Sequence, residues 1–214
     1  MVAAAAVPCA ARVFGIASGM SPLEILGFVT GALCVWLLVR QNIWNWPLGL
    51  VNNALFIVLF YRNGLYADMG LQGFYIAIGV YGWWNWLHGG RDHGTVRVSR
   101  TPAAWAAGLG AGVLGGTFLL SFLLRRYTNS NVPLLDSLIT ALSLAAQFMM
   151  ARKWLENWLV WLLANCLSIG LLIFKGLYLT SGLYAVYQVL CIMGWVEWWK
   201  VHRAAKPPRA PSEA

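Results

Sequence analysis

The sequence predicts an all-α integral membrane protein with seven transmembrane helices, and three observations support this fold class. The chain of 214 residues is 60% hydrophobic and only 10% charged, whereas soluble domains carry about a quarter charged residues. Seven apolar stretches are long enough to cross a bilayer core of about 30 Å, and only short segments separate them. The third observation is an internal repeat.

The seven predicted spans leave little of the chain for a separate soluble domain. We place the spans at residues 22–39, 44–61, 70–87, 102–124, 134–151, 156–174 and 182–199. Residues 1–21 lack the basic start and clean apolar core of a cleaved signal peptide, so we expect an amphipathic segment there. Residues 201–214 are rich in Pro, Ala and charge, which predicts a disordered cytoplasmic tail.

The formal net charge of +8 is interpreted as a signal of membrane orientation. Positively charged loops of membrane proteins favour the cytoplasmic side. Five Lys and Arg residues fall on the side of the N-terminus and ten on the other side. The C-terminus is therefore expected in the cytoplasm and the N-terminus outside, with no nucleic-acid patch.

The internal repeat appears as "NGLYADMGLQGFY" at Asn63 and "KGLYLTSGLYAVY" at Lys175. Without a gap, residues 24–86 match residues 136–198 at 18 of 63 positions. Apolar bias can align Leu with Leu, but it does not align polar and aromatic residues in register. Such identical pairs are Arg40/Arg152, Asn45/Asn157, Trp46/Trp158, Asn53/Asn165, Tyr66/Tyr178, Tyr75/Tyr187, Gly82/Gly194, Trp83/Trp195 and Trp86/Trp198.

The repeat defines the predicted architecture. Residues 22–88 form a first three-helix repeat, residues 102–124 a linker helix, and residues 134–200 a second three-helix repeat. Since three spans reverse the direction of the chain, the linker span makes the two repeats parallel, in a 3+1+3 arrangement. Parallel repeats of this kind are typical of transporters, whose substrate site lies near the midplane between the halves.

Polar and aromatic residues within the spans are the candidates for that site, because a polar group in hydrocarbon is costly without a partner. Trp158, Trp161 and Asn165 follow i, i+3, i+7 spacing on one helical face, and Trp46 and Asn53 repeat this geometry. The candidate substrate-binding residues are Trp46, Asn53, Gln72, Tyr75, Gln147, Trp158, Trp161, Asn165, Tyr187 and Gln188.

Two structural alternatives remain for these residues. Asn and Gln within membrane helices often only join helices by hydrogen bonds, as in a non-transporting scaffold. Tryptophans often form belts at the membrane interface. The aromatic group Trp83, Trp195, Trp198 and Trp199 is therefore interpreted either as a gate or as such a belt.

Several function classes are disfavoured by what the spans lack. None of the seven acidic residues lies in the middle of a span, whereas coupled carriers usually hold an ionisable group at depth. Facilitated diffusion is thus expected. The spans carry no catalytic pairing or phosphate loop, and the four cysteines have neither metal nor disulfide spacing. We expect no enzyme activity, cofactor or metal.

The runs "GLVNNALFIVLFYRNGLYADMGLQGFY" and "RKWLENWLVWLLAN" resemble the PnuC family of bacterial nicotinamide riboside transporters of the inner membrane. The resemblance covers residues 22–200. It implies a SWEET-like fold, facilitated diffusion, a homo-oligomer (a trimer) and intracellular trapping of the substrate through phosphorylation by a separate kinase. The family's motifs fall on Gln72, on Trp158, Trp161 and Asn165, and on Trp195, Trp198 and Trp199.

The candidate residues suit the substrate that the resemblance implies. Nicotinamide riboside is a pyridinium cation, which an indole face attracts, and amides can bind its carboxamide and ribose. Thiamine is also an aromatic cation, and relatives of the family are associated with thiamine and riboflavin. These vitamins therefore remain alternative substrates.

Overall fold

The computed structural model describes residues 22–62, 66–90, 94–127, 132–176 and 178–205. The expected amphipathic segment 1–21 and most of the predicted tail, 206–214, lie outside the described residues. The described chain is helical, in seven helices. These are α1 (Pro22–Val39), α2 (Asn45–Arg62), α3 (Tyr66–His88), α4 (Ala103–Tyr127), α5 (Pro133–Ala151), α6 (Asn157–Phe174) and α7 (Tyr178–Ala204).

The helices confirm the all-α class, and there is one described helix for each of the seven predicted spans, differing from it mainly at the ends. Helices α3 and α7 each begin four residues before the predicted span, at Tyr66 and Tyr178. Gly176 precedes α7 with a φ of +73°, a left-handed conformation that glycine adopts without strain. Residues 201–204, assigned to the tail from sequence, continue α7.

The apolar character of the helices fits a membrane. By length and composition alone, Ala103–Arg126, Pro133–Ala151 and Asn157–Phe174 could each cross a bilayer. Polar residues such as Asn52 and Asn53 lower the hydropathy of helices like α2. The outer surface is strongly apolar, with Phe118 and Phe174 exposed by 70% and 77%, which suits contact with lipid.

The helices pack as two groups of three. Within each group, neighbours in sequence are neighbours in space: α1 on α2 on α3, and α5 on α6 on α7. The groups meet where α3 packs on α5 and α1 packs on α7, and α4 packs against α5. The six helices other than α4 are thus linked in a ring.

The α1–α2 and α5–α6 turns share one backbone geometry at residues 112 positions apart. Gln41 and Lys153 are both left-handed, with φ of 53° and 59°. The side chain of Asn45 caps the carbonyl of Asn42, and that of Asn157 caps the carbonyl of Trp154. The sequence repeat therefore extends to matching local structure.

Glycines of the third helix of each group make room for tryptophans of the second. A Cβ atom on Gly82 would overlap the ring of Trp46, and one on Gly194 would overlap the ring of Trp158. These two pairs are again 112 positions apart. The close helix approach explains why glycine and tryptophan recur together in both repeats.

Residues 94–101, here called the strap, connect α3 to α4 and pack across the end of the bundle where α3, α5 and α7 terminate. The strap exchanges backbone hydrogen bonds with the α5–α6 turn, from Ser99 N to Lys153 O and from Leu155 N to Ser99 O. Its Val98 side chain is buried, and the Val98 carbonyl lies 3.2 Å from His202 Nδ1 on α7.

Candidate functional site between the helix groups

A small cavity lies between α1, α2, α3 and α5, where the two helix groups meet. Four of the residues predicted for the site line it: Trp46, Asn53, Tyr75 and Gln147. The cavity volume is roughly 30 Å³, which is room for about two water molecules. A nucleoside-sized molecule therefore enters only if the surrounding helices separate.

The cavity is asymmetric because the two repeats differ at two small residues. Gly49 and Gly79 line it, whereas the positions 112 residues later are occupied by Trp161 and Cys191, both fully buried. The first repeat thus leaves open space where the second repeat places an indole and a thiol.

Several predicted site residues present buried polar atoms that have no partner among the described residues. These atoms are Nε1 of Trp46, Trp158 and Trp161, Oδ1 of Asn53, Oε1 of Gln147 and Gln188, and both amide atoms of Gln72. Most buried polar groups in proteins are hydrogen-bonded, and leaving one unpaired costs about 1–3 kcal/mol. Three of these residues, Trp46, Asn53 and Gln147, line the cavity, as expected of a site that awaits a polar ligand, whereas Gln72, Trp158 and Trp161 are buried in the bundle outside its lining.

Asn165 and Tyr187 are also buried, but each already contacts a neighbour. The Asn165 amide lies 3.4 Å from Cys191 Sγ, a weak hydrogen bond. The Tyr187 hydroxyl lies so close to Gly31 that a Cβ atom there would be 2.8 Å from it. Tyr187 therefore packs across the α1–α7 contact between the groups.

Gln188 lies apart from the other candidates. Its side chain is only half-buried, and Nε2 donates to Cys166 Sγ at 3.1 Å. Cys166 is exposed on the outer surface of α6. The structure thus places Gln188 on the flank of the α6–α7 pair and does not bring it to the cavity.

Two adjacent asparagines of α2 have different roles in packing. The Asn52 amide donates to Gly27 O at 2.8 Å and to Thr30 Oγ1 at 2.7 Å, so it joins α2 to α1. Asn53 points into the cavity, and its carbonyl oxygen is unpaired. The interhelical clamp anticipated for membrane amides therefore applies to Asn52.

Four tryptophans form a continuous chain of ring contacts across the interface of the groups, here called the tryptophan chain. Trp46 meets Trp86 edge-to-face at 5.5 Å between centroids, Trp86 meets Trp198 at 5.9 Å, and Trp198 meets Trp158 edge-to-face at 5.4 Å. The two edge-to-face pairs are equivalent in the repeats. Edge-to-face geometry is one of the two favoured arrangements of aromatic rings.

The aromatic group predicted as a gate or a belt divides between these roles. Trp198 is fully buried in the tryptophan chain, whereas Trp83 is 37% exposed. Trp195 stacks on Trp199 at 5.7 Å. The guanidinium carbons of Arg100 and Arg203 lie 5.1 and 5.0 Å from the Trp199 ring centre, as in an interfacial belt.

Among the described residues that line the cavity, none is Asp, Glu, Lys, Arg or His. The buried carboxylate of Asp136 lies in the first turn of α5, at the opposite end of that helix from Gln147, and pairs with Lys175 Nζ at 3.6 Å. Within the described part of the chain, no group of three His, Cys, Asp or Glu side chains could hold a metal ion.

Two residues near the site were not predicted from the sequence. Cys34 lines the cavity, with its Sγ donating to Asn45 O at 3.0 Å, but its spacing from other cysteines carried no signal. In the sequence Lys153 is one of the basic residues that indicate orientation, yet in the structure its side chain is buried. The equivalent position of the first repeat holds the uncharged Gln41. This difference between the repeats is the sequence signal that could have identified Lys153.

A ring of membrane-type helices around a buried polar and aromatic site defines a multi-pass membrane protein that handles a small molecule. The sequence profile of the nicotinamide mononucleotide transporter family matches residues 21–200. The chain belongs to this family, and the resemblance to PnuC proteins is confirmed.

Individual relatives agree with this assignment. The nicotinamide riboside transporter PnuC of Escherichia coli is 27% identical over 204 residues, covering 84% of this chain and 85% of that protein. The riboflavin/roseoflavin transporter RibM of Streptomyces davaonensis is 27% identical over 188 residues, with coverage of 86% and 88%. A crystal structure titled as the vitamin B3 transporter PnuC shares the fold with a TM-score of 0.68 and 24% identity, covering 95% and 90% of the two chains.

Proposed function

We propose that this protein transports nicotinamide riboside across the bacterial inner membrane by facilitated diffusion. The observation that carries the proposal is the set of buried polar atoms without described partners on Trp46, Asn53 and Gln147, which line the cavity where the two helix groups meet. An indole face attracts a pyridinium ring by about 0.5–2 kcal/mol. The unpaired amides of Asn53, Gln72 and Gln147 suit a carboxamide and ribose hydroxyls.

The charge of the site favours nicotinamide riboside over nicotinamide mononucleotide, the compound that the family's description names. A phosphate group is normally bound by Arg, Lys or a helix N-terminus. The described residues of the cavity lining include neither Arg nor Lys, so a phosphate would be desolvated there without a compensating charge. The uncharged aromatic lining suits a monovalent organic cation.

Facilitated diffusion is supported by the absence of a carboxylate among the described residues that line the cavity. Asp136, a buried acidic residue in the first turn of α5, is already paired with Lys175. Without a coupling ion, net uptake needs a sink for the substrate. We infer that phosphorylation by a separate kinase provides it, because a phosphorylated product would not fit a lining without cationic groups.

The helix packing supports a 3+1+3 arrangement with parallel, SWEET-like repeats. The matching turns at Gln41 and Lys153, and the equivalent glycine–tryptophan contacts, are what a pseudo-two-fold axis along the membrane normal would produce. We place the C-terminus in the cytoplasm because ten of the fifteen Lys and Arg residues lie on its side. A trimer is the assembly that the family resemblance favours.

Riboflavin is the second candidate substrate, because RibM is as similar in sequence as the Escherichia coli PnuC. Riboflavin is uncharged and could stack on the same indoles. The cation–π attraction therefore favours nicotinamide riboside, and thiamine, also an aromatic cation, is the alternative that charge alone does not separate.

Calorimetric titration of the purified protein in detergent tests the proposal. Nicotinamide riboside, nicotinamide mononucleotide, thiamine and riboflavin would be titrated in parallel, followed by uptake of the tightest ligand into proteoliposomes. We expect binding and uptake of the riboside, and none of the mononucleotide. Binding of riboflavin or thiamine alone would overturn the substrate, and binding of none would favour a scaffold.

A further inference from the structure

A buried lysine lies beneath the tryptophan chain at the end of the bundle where α3, α5 and α7 terminate. Lys153 is 8% exposed, and its Nζ lies 4.3 Å from the centre of the Trp86 ring. The same Nζ donates to Val96 O of the strap at 3.0 Å. One ammonium thus contacts both the chain of rings and the segment that covers it.

No described carboxylate neutralises this ammonium. Glu156, three residues further on, accepts hydrogen bonds from Thr101 N and Oγ1, both at 2.8 Å, and lies 3.8 Å from Arg100 Nε. A buried charge without a counter-ion is unfavourable, and burial lowers the pKa of Lys153 to about 8. Its left-handed backbone adds a further cost for a residue other than glycine.

The equivalent position of the first repeat shows what the lysine adds. Gln41 has the same left-handed turn but no charge, and no strap residue is hydrogen-bonded to its side chain. The two turns are otherwise built alike. The charge at position 153 is therefore not needed to form the turn.

We propose that Lys153 is a gating residue that latches the strap over the inner end of the transport path and repels a cationic substrate until the strap moves. The proposal rests on the proposed function, in which a pyridinium cation leaves past the tryptophan chain into the cytoplasm. While Lys153 lies over Trp86, it occupies the position on that ring that a leaving cation would use. Like charges at such short range repel strongly in a medium of low dielectric.

Release of the latch requires the strap and the lysine to move together. The carbonyl of Val96 holds the ammonium, and the backbone of Ser99 holds the turn that carries it. When the ammonium leaves Trp86 for water, it loses these contacts and recovers its hydration. A second cation that binds the Trp86 ring can therefore shift the equilibrium away from the closed arrangement.

A cysteine in the strap tests the latch without reference to transport. In a Val98→Cys protein, the buried position 98 would be labelled slowly by a bulky hydrophilic maleimide in detergent. Peptide mass spectrometry separates it from the natural cysteines. We expect Lys153→Met to raise the labelling rate at least five-fold, and Lys153→Arg to raise it less. Gln41→Met is the matched control and should leave the rate unchanged.

Efflux from proteoliposomes tests the repulsion. Lys153→Met should release nicotinamide riboside several-fold faster than the wild type, while Gln41→Met should match the wild type. If Lys153→Met and Gln41→Met are labelled at the same rate, whether raised or unchanged from the wild type, the latch is wrong. If Lys153→Met does not fold, added nicotinamide riboside should speed labelling of Val98→Cys alone, and no change there would equally overturn it.

The two proposals fail differently. If labelling depends on Lys153 but the wild type does not move nicotinamide riboside, the latch stands and the substrate is wrong. If the wild type transports the riboside and Lys153→Met alters neither labelling nor efflux, the transport function stands and the latch is wrong.

Discussion

Trp86 and Trp198, equivalent residues of the two repeats, each donate an indole N–H to a carbonyl of the opposite repeat. Trp86 bonds to Met150 O and Trp198 to Leu38 O, both at 3.2 Å. The accepting residues are themselves 112 positions apart. One hydrogen-bonding interaction is thus used twice at the interface of the helix groups.

Replacing either indole should weaken this interface. Trp86→Phe and Trp198→Phe each remove the cross-repeat hydrogen bond, so we expect a loss of about 1–3 kcal/mol of stability, measured by thermal unfolding in detergent. Because the two rings touch, the double variant should deviate from additivity. Trp84→Phe, at an exposed position, is the control, and a similar loss there would contradict the argument.

The adjacent asparagines of α2 separate binding from packing. Asn53→Ala should weaken nicotinamide riboside binding about tenfold, since it removes one substrate hydrogen bond, and should change stability little. Asn52→Ala removes the clamp on α1 and should instead lower stability by about 1–2 kcal/mol. Calorimetry and thermal unfolding of both variants give the comparison. If both lose stability and neither loses affinity, the scaffold interpretation is favoured.

The close approach of α7 to α6 predicts a steric effect at a single carbon. Gly194→Ala should destabilise the protein by about 1–3 kcal/mol, because the added methyl group overlaps the Trp158 ring. Gly182→Ala on the same helix meets nothing within 4 Å, so it should be neutral or slightly stabilising. Thermal unfolding of the two variants provides the measurement. Equal stability of the two variants would argue against the close contact between Gly194 and Trp158.

Burial of Lys153 predicts a dependence of stability on pH. Its pKa in the folded protein, about 8, is below that of an unfolded lysine, near 10.4. The cost of burying the charge is therefore present in full below pH 8 and disappears as the pH rises towards 10.4.

The wild type should gain thermal stability relative to Lys153→Met between pH 7 and pH 9. Glu156 and His202, which contact the strap, are present in both proteins, so the difference isolates the lysine. A difference that does not change over this range would show that Lys153 titrates normally.

Transport of a cation without a coupling ion should respond to the membrane potential. Each 100 mV, inside negative, is worth about 2.3 kcal/mol per charge, which corresponds to roughly 50-fold accumulation of nicotinamide riboside at equilibrium. Proteoliposomes clamped with potassium and valinomycin provide the measurement. Riboflavin, which is uncharged, should show no response, and an equal indifference of the riboside would exclude movement as a cation.

The number of helices and their places in the chain could be predicted, because span length depends on bilayer thickness. The polar candidates of the site could also be predicted, since Asn53 and Gln147 have few acceptable environments in hydrocarbon. The position of Gln188 could not be predicted in this way. Helix α7 is apolar on several faces, so periodicity does not distinguish the side facing the interior from the side facing α6.

Other features depend on differences between the repeats. The cavity follows from Gly49 and Gly79 standing where the second repeat has Trp161 and Cys191. A sequence comparison shows these substitutions, but only packing reveals which of the two halves keeps open space. The contacts of Lys153 likewise depend on the path of the strap, for which the sequence pattern carries no signal.

The tryptophan chain also gives the protein an optical signal of its own. Indole rings with centroids 5.4 to 5.9 Å apart have electronically coupled transitions, and such coupling contributes to near-ultraviolet circular dichroism. Because Trp86 and Trp198 belong to different repeats, any rotation of one repeat against the other alters their coupling. The opening of the path could therefore be followed in the unlabelled wild-type protein, in real time, as a change in the dichroism of its own aromatic residues.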